Sequence, residues 1–156
     1  MCRAWIPAAL VLLIAGCGGG PDQRLVQARQ HLAKGDYAAA AAAADQGLAA
    51  GAEGPTAWRL ELAGLEGEAR GGQAAAVQAR LERLSQAWSA QLTGALYVQT
   101  AGQLKEGGDA AGAIGVLDAG ARRFPDDPDI ARAIEQAKAT GTDAEIERLR
   151  SLGYVE

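Results

Sequence analysis

The chain has 156 residues, of which 49% are hydrophobic, and its formal net charge is −4. This length and apolar content predict one folded domain and argue against a disordered chain. The acidic balance and the absence of any block of Lys and Arg in the sequence argue against a nucleic-acid partner. Only 4% of the residues are aromatic, whereas 21 are glycines. We therefore expect a thin core in which helices approach one another over small side chains.

Residues 1–16 have the three parts of a secretory signal. Arg3 supplies a positive start, residues 6–15 form an apolar run, and small residues close the segment. The run is too short for a membrane helix, which needs ~20 apolar residues. It ends in Ile-Ala-Gly-Cys at 14–17, which resembles the lipobox of bacterial lipoproteins. The resemblance implies removal of residues 1–16 as a signal peptide and lipidation of Cys17. The alternative is a plain secretory signal followed by an incidental cysteine.

Residues 17–21 are expected to join the lipidated end to the folded part. The glycines at 18–20 are typical of a flexible tether. Cys2 would leave with the signal, so the folded domain would contain no disulfide. The residue after Cys17 is glycine and not aspartate. By resemblance to lipoprotein sorting in Gram-negative bacteria, this implies an anchor in the outer membrane and a domain that faces the periplasm.

Residues 22–50 predict a first helical hairpin. Apolar residues recur at helical spacing over 22–34, Gly35 interrupts the pattern, and Asp36 is placed to cap a second helix that runs to about residue 50. The second helix contains an alanine run, 38–44. Alanine combines high helix propensity with a small volume, so this face would let another helix approach closely.

Two further hairpins are predicted after the first. In the second hairpin, Pro55 suits the first turn of a helix, residues 70–73 turn the chain, and the returning helix has an apolar face up to Trp88. The third hairpin occupies residues 94–127 and turns at Gly108.

The turn glycines Gly35, Gly71 and Gly108 recur about every 36 residues, close to the ~34-residue period of the tetratricopeptide repeat. The third hairpin carries the apolar positions of that repeat most clearly, at Tyr97, Ala101, Leu104, Ala113, Leu117 and Pro125. The chain over 22–127 therefore resembles a degenerate tetratricopeptide-repeat protein. The resemblance implies an all-α fold, built as a right-handed superhelical array of about three hairpins. The alternative is a generic alanine-rich helical bundle.

Residues 128–156 predict capping helices for the array. A helix is expected over 128–139, with Asp127 as its N-cap and a proline in its first turn. Thr142 and Glu145 have the spacing of a capping box, which predicts a last short helix.

The sequence predicts no catalytic, cofactor-binding or metal-binding residue. His31 is the only histidine and no cysteine follows Cys17, so a nucleophilic triad and a Cys/His metal site both lack their residues. No phosphate-binding glycine motif is present either. We interpret His31 as a half-buried packing residue, and we interpret Glu61, Glu66 and Glu68 as surface charges. We therefore expect a protein that is not an enzyme and has no cofactor.

By resemblance to tetratricopeptide arrays, the first helix of each hairpin lines a concave groove that holds a partner. The groove positions that this implies are Leu25, Arg29, Trp58, Glu61, Leu65, Glu68, Val98, Gly102 and Lys105. Trp58 is the expected anchor of the partner, and the alternative is that it packs between hairpins. The resemblance implies a membrane-anchored adaptor that binds a protein or peptide segment of the cell envelope during assembly or secretion. The alternative is an accessory subunit of an envelope hydrolase complex.

Overall fold

The computed structural model describes residues 19–156. The predicted signal peptide and Cys17 lie outside the described residues and stay predictions. Within the described range the chain is all-α, as predicted, and it contains no strand. The helices are α1 Pro21–Lys34, α2 Tyr37–Ala49, α3 Gly54–Arg70, α4 Ala74–Ala87, α5 Gly94–Glu106, α6 Ala110–Arg123, α7 Pro128–Thr140 and α8 Asp143–Ser151.

The last two helices begin at the caps that the sequence predicts. Asp127 Oδ1 accepts hydrogen bonds from the amides of Asp129 and Ile130, at 2.9 and 3.2 Å. At α8, the Thr142 hydroxyl accepts from the Glu145 amide, and the Glu145 carboxylate accepts from the Thr142 amide at 2.8 Å. These bonds satisfy amides that a first helical turn leaves without an intrahelical partner. Both predicted caps are confirmed.

Two other helix ends differ from the prediction. Asp36 is the N-cap residue of α2, but its side chain makes no capping hydrogen bond. Its Oδ2 lies 3.1 Å from Nδ1 of the half-buried His31, so the carboxylate faces back toward α1. Helix α4 ends at Ala87, and Trp88 follows it as the C-cap residue. There the Trp88 ring packs against the ring of Trp58, with 5.6 Å between the centroids.

The odd-numbered and even-numbered helices have different neighbours. Helices α1, α3, α5 and α7 pack side by side in chain order. Helix α2 packs on α1 and α3, while α6 packs on α4, α5, α7 and α8. Each odd helix is therefore the neighbour of the next odd helix, two elements further along the chain.

Small residues allow α2 and α3 to approach closely, as the composition predicts. A Cβ on Gly47 would lie 2.8 Å from the Leu60 side chain, and a Cβ on Gly67 would lie 2.8 Å from the Tyr37 carbonyl oxygen. A larger residue at position 67 would meet the backbone of α2 and push the two helices apart. The small core cluster at this contact consists of Leu25, Ala28, Ala43, Ala44, Leu60 and Ala63. A larger cluster joins α3–α6 to α7 and α8 through residues that include Leu84, Leu104, Ile114, Ile130 and Leu149.

Candidate partner-binding cleft

The residues predicted to line a partner groove fall into two environments. Leu25 and Leu65 are buried in the core, with 6% and 2% of their surface exposed. Glu61 and Glu68 are also buried, with 9% and 7% exposed. The others are half-buried or exposed, namely Arg29, Trp58, Val98, Gly102 and Lys105. The structure therefore does not bring the whole predicted set to one surface.

Glu61 and Glu68 bind the guanidinium of Arg80, whose side chain is fully buried. The Nε and Nη2 atoms of Arg80 donate to the two carboxylate oxygens of Glu68, at 2.9 and 2.7 Å. Its Nη1 donates to Glu61 at 2.8 Å, and Nη2 also donates to Asp45 at 2.7 Å. The interpretation of Glu61 and Glu68 as surface charges is wrong, because a buried cation on α4 holds both carboxylates in the interior.

Gly64 makes room for this guanidinium. A Cβ at position 64 would lie 2.5 Å from Arg80 Cζ, so the guanidinium rests against the backbone of α3. Burial disfavours the charged form of Arg80, but hydrogen bonds and attraction from Glu68 and Asp45 outweigh that effect and raise its pKa. The cluster joins α2, α3 and α4 through charge-assisted hydrogen bonds.

Trp58 is half-buried and packs inside its own hairpin. Its ring is tilted by 45° from that of Trp88, which follows α4. Both rings border the larger core cluster. Trp58 therefore joins the start of α3 to the end of α4, the two ends of the second hairpin. Its role as a partner anchor stays a prediction.

An open cleft lies between α5 and α7. Its volume is about 170 Å³, and a shallower depression of about 330 Å³ adjoins it. The two share Val98, Ala133 and Gln136. Gly102 and Lys105 also line the cleft, and a Cβ on Gly102 would meet no atom within 4 Å. The structure therefore gathers three predicted groove positions, Val98, Gly102 and Lys105, around one opening.

The cleft has an apolar base and a polar rim. The base is formed by aliphatic side chains that include Ala101, Ala113, Ile114, Leu117 and Ala137. The amides of Gln99 and Gln136 are exposed at the rim. Each side-chain amide can both donate and accept hydrogen bonds, which are the two requirements of a peptide main chain. The cleft thus suits an extended segment that inserts an apolar side chain.

An ion pair closes one end of this cleft. Lys105 Nζ donates to Glu145 Oε1 at 2.7 Å, and the Glu145 side chain is only 3% exposed. Burial disfavours ionisation of Glu145, but hydrogen bonds from Lys105 and Thr142 outweigh that effect and hold its pKa below the ordinary value. The pair fixes α8 against α5, and it leaves no net charge at this end of the cleft.

A smaller cleft of about 150 Å³ lies between α1 and α3. Arg29 lines it from α1, and Arg59, Leu62 and Glu66 line it from α3. Arg59 and Leu62 border this cleft but are not among the predicted groove positions. Successive residues of a helix are ~100° apart, so a shift of one residue in the assumed register changes which side chains of α3 face the core. The predicted positions Glu61 and Leu65 are buried, whereas the next residues along α3, Leu62 and Glu66, border this cleft.

Within residues 19–156, no group of three or more His, Cys, Asp and Glu side chains is placed to hold a metal ion. No helix in that range combines the length and the apolar character needed to cross a bilayer. Comparison with protein-family models finds no matching family, and comparisons with curated proteins and with solved structures find no significant match. Function is therefore inferred from the geometry of the clefts.

Proposed function

We propose that the chain is a membrane-anchored, non-enzymatic adaptor that binds a segment of another protein in the cell envelope. In this proposal the lipid on Cys17 holds the protein in the outer membrane. The helices then form a right-handed tetratricopeptide-like array in the periplasm. The regular turn glycines and the side-by-side packing of consecutive odd helices support the array.

The observation that carries the proposal is the open space above Gly102. A cavity of about 150 Å³ is large enough to hold a benzene molecule, so the cleft of about 170 Å³ accommodates one aliphatic side chain. The charges at its edges are already paired, Lys105 with Glu145 and Arg132 with Asp129. We therefore propose an extended partner segment whose inserted side chain is apolar and uncharged.

The test fills the cleft without unfolding the helix. In Gly102→Leu the new side chain enters the open space, and leucine has a higher helix propensity than glycine by roughly 0.8 kcal/mol. A photo-crosslinking amino acid at Gln136, on the rim, captures the partner in cells. Ala139→Leu is the matched control, because Ala139 is exposed on α7 and does not line the cleft.

The proposal predicts a crosslinked partner in the parent protein and in Ala139→Leu, and its loss in Gly102→Leu. Capture that is unchanged by Gly102→Leu would place the binding site elsewhere. Circular dichroism melting of all three proteins shows whether each remains folded.

A further inference from the structure

A second cavity, of about 540 Å³, lies on the even-numbered helices, between α4, α6 and α8. Gly115 of α6 borders it, and polar side chains from two other helices lie above that residue. A Cβ on Gly115 would lie 3.0 Å from Gln78 Nε2 and 3.8 Å from Arg148 Nη2. The side chains of Gln78 from α4 and Arg148 from α8 therefore converge above the backbone of α6. We call this cavity the arginine trough.

Three arginines border the trough: Arg122, Arg123 and Arg148. Arg122 is paired with Asp118 at 2.6 Å. Arg123 lies over the ring of Phe124, with 5.7 Å from Cζ to the centroid, and Arg148 makes only a long 3.4 Å contact to a serine hydroxyl. Among residues 19–156, Arg123 and Arg148 have no carboxylate within ion-pair distance.

The two carboxylates at the trough are already engaged. Asp118 binds Arg122 and also accepts a hydrogen bond from the Tyr154 hydroxyl at 3.1 Å. Glu82 accepts a hydrogen bond from Gln86 at 2.9 Å. The ionisable side chains that border the trough, three arginines and two carboxylates, sum to +1 on a chain whose net charge is −4. The sequence hides this feature, because the arginines come from two helices and form no basic block.

We propose that the arginine trough binds a carboxylate side chain of an acidic peptide segment. A guanidinium group matches the two oxygens of a carboxylate, and Arg123 and Arg148 supply the two guanidiniums without acidic partners. The amide of Gln78 is available to the peptide main chain, and Leu81 and Leu152 give the trough apolar walls. Its volume lies in the range of roughly 300–1,000 Å³ that is typical of ligand sites.

Two observations favour a peptide over an anionic lipid surface. The guanidiniums border a recess and not a flat face, and a peptide side chain can enter a recess. The carboxylates of Glu82 and Asp118 stand at the same recess, and the whole chain is acidic, so a densely anionic membrane would be repelled. An isolated carboxylate on a peptide meets less repulsion.

The experiment measures fluorescence anisotropy of a labelled pentapeptide, Gly-Leu-Glu-Leu-Gly, with the full chain in a neutral detergent at low salt. The double variant Arg123→Gln, Arg148→Gln is expected to weaken binding by about tenfold or more, since it removes the charge-assisted hydrogen bonds. The matched control is Arg29→Gln, Arg59→Gln, which removes the same charge from exposed arginines at the α1–α3 cleft. It should change binding by less than about twofold.

Three results would overturn this inference. One is equal binding of the Gly-Leu-Gln-Leu-Gly peptide, and another is equal weakening in the control variant. The third is displacement of the peptide by inorganic phosphate or glycerol 3-phosphate at lower concentration than by unlabelled acidic peptide, which would indicate a phosphate site. Gly102→Leu should leave this binding unchanged, so the trough and the α5–α7 cleft are tested separately.

Discussion

Arg80 is a fully buried cation whose acidic partners come from α2 and α3. Removing one member of a buried ion cluster leaves the others as uncompensated charges, which costs about 3–5 kcal/mol. We therefore expect Arg80→Met to lower the free energy of unfolding by about that amount, as measured by urea denaturation. Glu68 is then left without a counterion, and Glu61 keeps only the exposed Arg83 at 3.9 Å.

Two further variants isolate the cause of that loss. Arg83→Met removes a neighbouring arginine that is 53% exposed and 3.9 Å from Glu61, and it should change stability by no more than about 0.5 kcal/mol. The triple variant Arg80→Met, Glu61→Leu, Glu68→Leu should recover most of the lost stability, because no buried charge is left unpaired. If Arg80→Met behaves like Arg83→Met, the ionic cluster has no structural role.

Gly64 and Gly102 form a matched pair of glycines inside helices. Replacing an exposed helical glycine with alanine stabilises a helix by roughly 0.8–1 kcal/mol. Gly102→Ala should show that gain, since a Cβ there meets no atom within 4 Å. Gly64→Ala should instead destabilise the protein by about 1–3 kcal/mol, because its Cβ would lie 2.5 Å from Arg80 Cζ. Thermal melting of both variants gives the comparison, and a shift of equal sign would contradict it.

For individual residues, the sequence contains a signal for the burial of Arg80 but none for the burial of its acidic partners. An arginine between Val77, Leu81 and Leu84 interrupts the apolar face of α4, which indicates a buried charge with an internal partner. The glutamates of α3 look alike in sequence, yet Glu61 and Glu68 are buried and Glu66 pairs with Arg70 near the surface. Only the orientation of α3 about its own axis determines which of these glutamates is buried.

The helices themselves were predictable because their ends are encoded locally. Glycine, proline and capping residues act through backbone geometry within a few positions, so the helices match the structure to within about two residues. The orientation of each helix about its axis depends on contacts with elements far away in the chain. The sequence did not predict the burial of Glu61, Leu65 and Glu68 on α3 for this reason. It did not predict the arginine trough either, because residues of α4, α6 and α8 form it together.

Helix α8 is held by Glu145, whose carboxylate caps the helix and binds Lys105 on α5. Its pKa is lower in the folded protein than in the unfolded chain. The stability that ionised Glu145 contributes is therefore fully present above the ordinary glutamate pKa of about 4.3. It is lost as the pH falls through the lower pKa that Glu145 has in the folded protein. Glu145→Gln should lose this contribution at neutral pH and should melt with a weaker dependence on pH between about 7 and 3.

Glu147→Gln is the control for that experiment. Glu147 is also on α8 and pairs with Arg150, but it is 73% exposed. Exposed pairs of this kind contribute at most about 1 kcal/mol. Its melting curves should follow those of the parent protein at each pH. Parallel pH profiles for the parent and Glu145→Gln would show that Glu145 does not couple α8 to α5.

For the whole molecule, the proposed membrane anchor is inferred from the sequence of residues 1–17, which precede the described residues. We expect Cys17→Ser to move the protein from the membrane fraction to the soluble fraction after cell disruption, because it removes the thiol to which, in the proposal, the lipid is attached. Metabolic labelling with a fatty-acid analogue provides a second readout. A Cys17→Ser protein that is still labelled and sedimented with membranes would contradict the anchor.

The adaptor proposal depends on the arrangement of the odd helices, because the cleft between α5 and α7 exists only if consecutive odd helices lie side by side. The most direct test is a photo-crosslinking scan of the intact protein in cells, one position at a time. We predict that Ala95, Gln99 and Gln136, at the α5–α7 cleft, capture the same partner, and that the exposed positions Ala42 and Gln46 of α2 do not. Capture from α2 without capture from the cleft positions would contradict the proposed binding face.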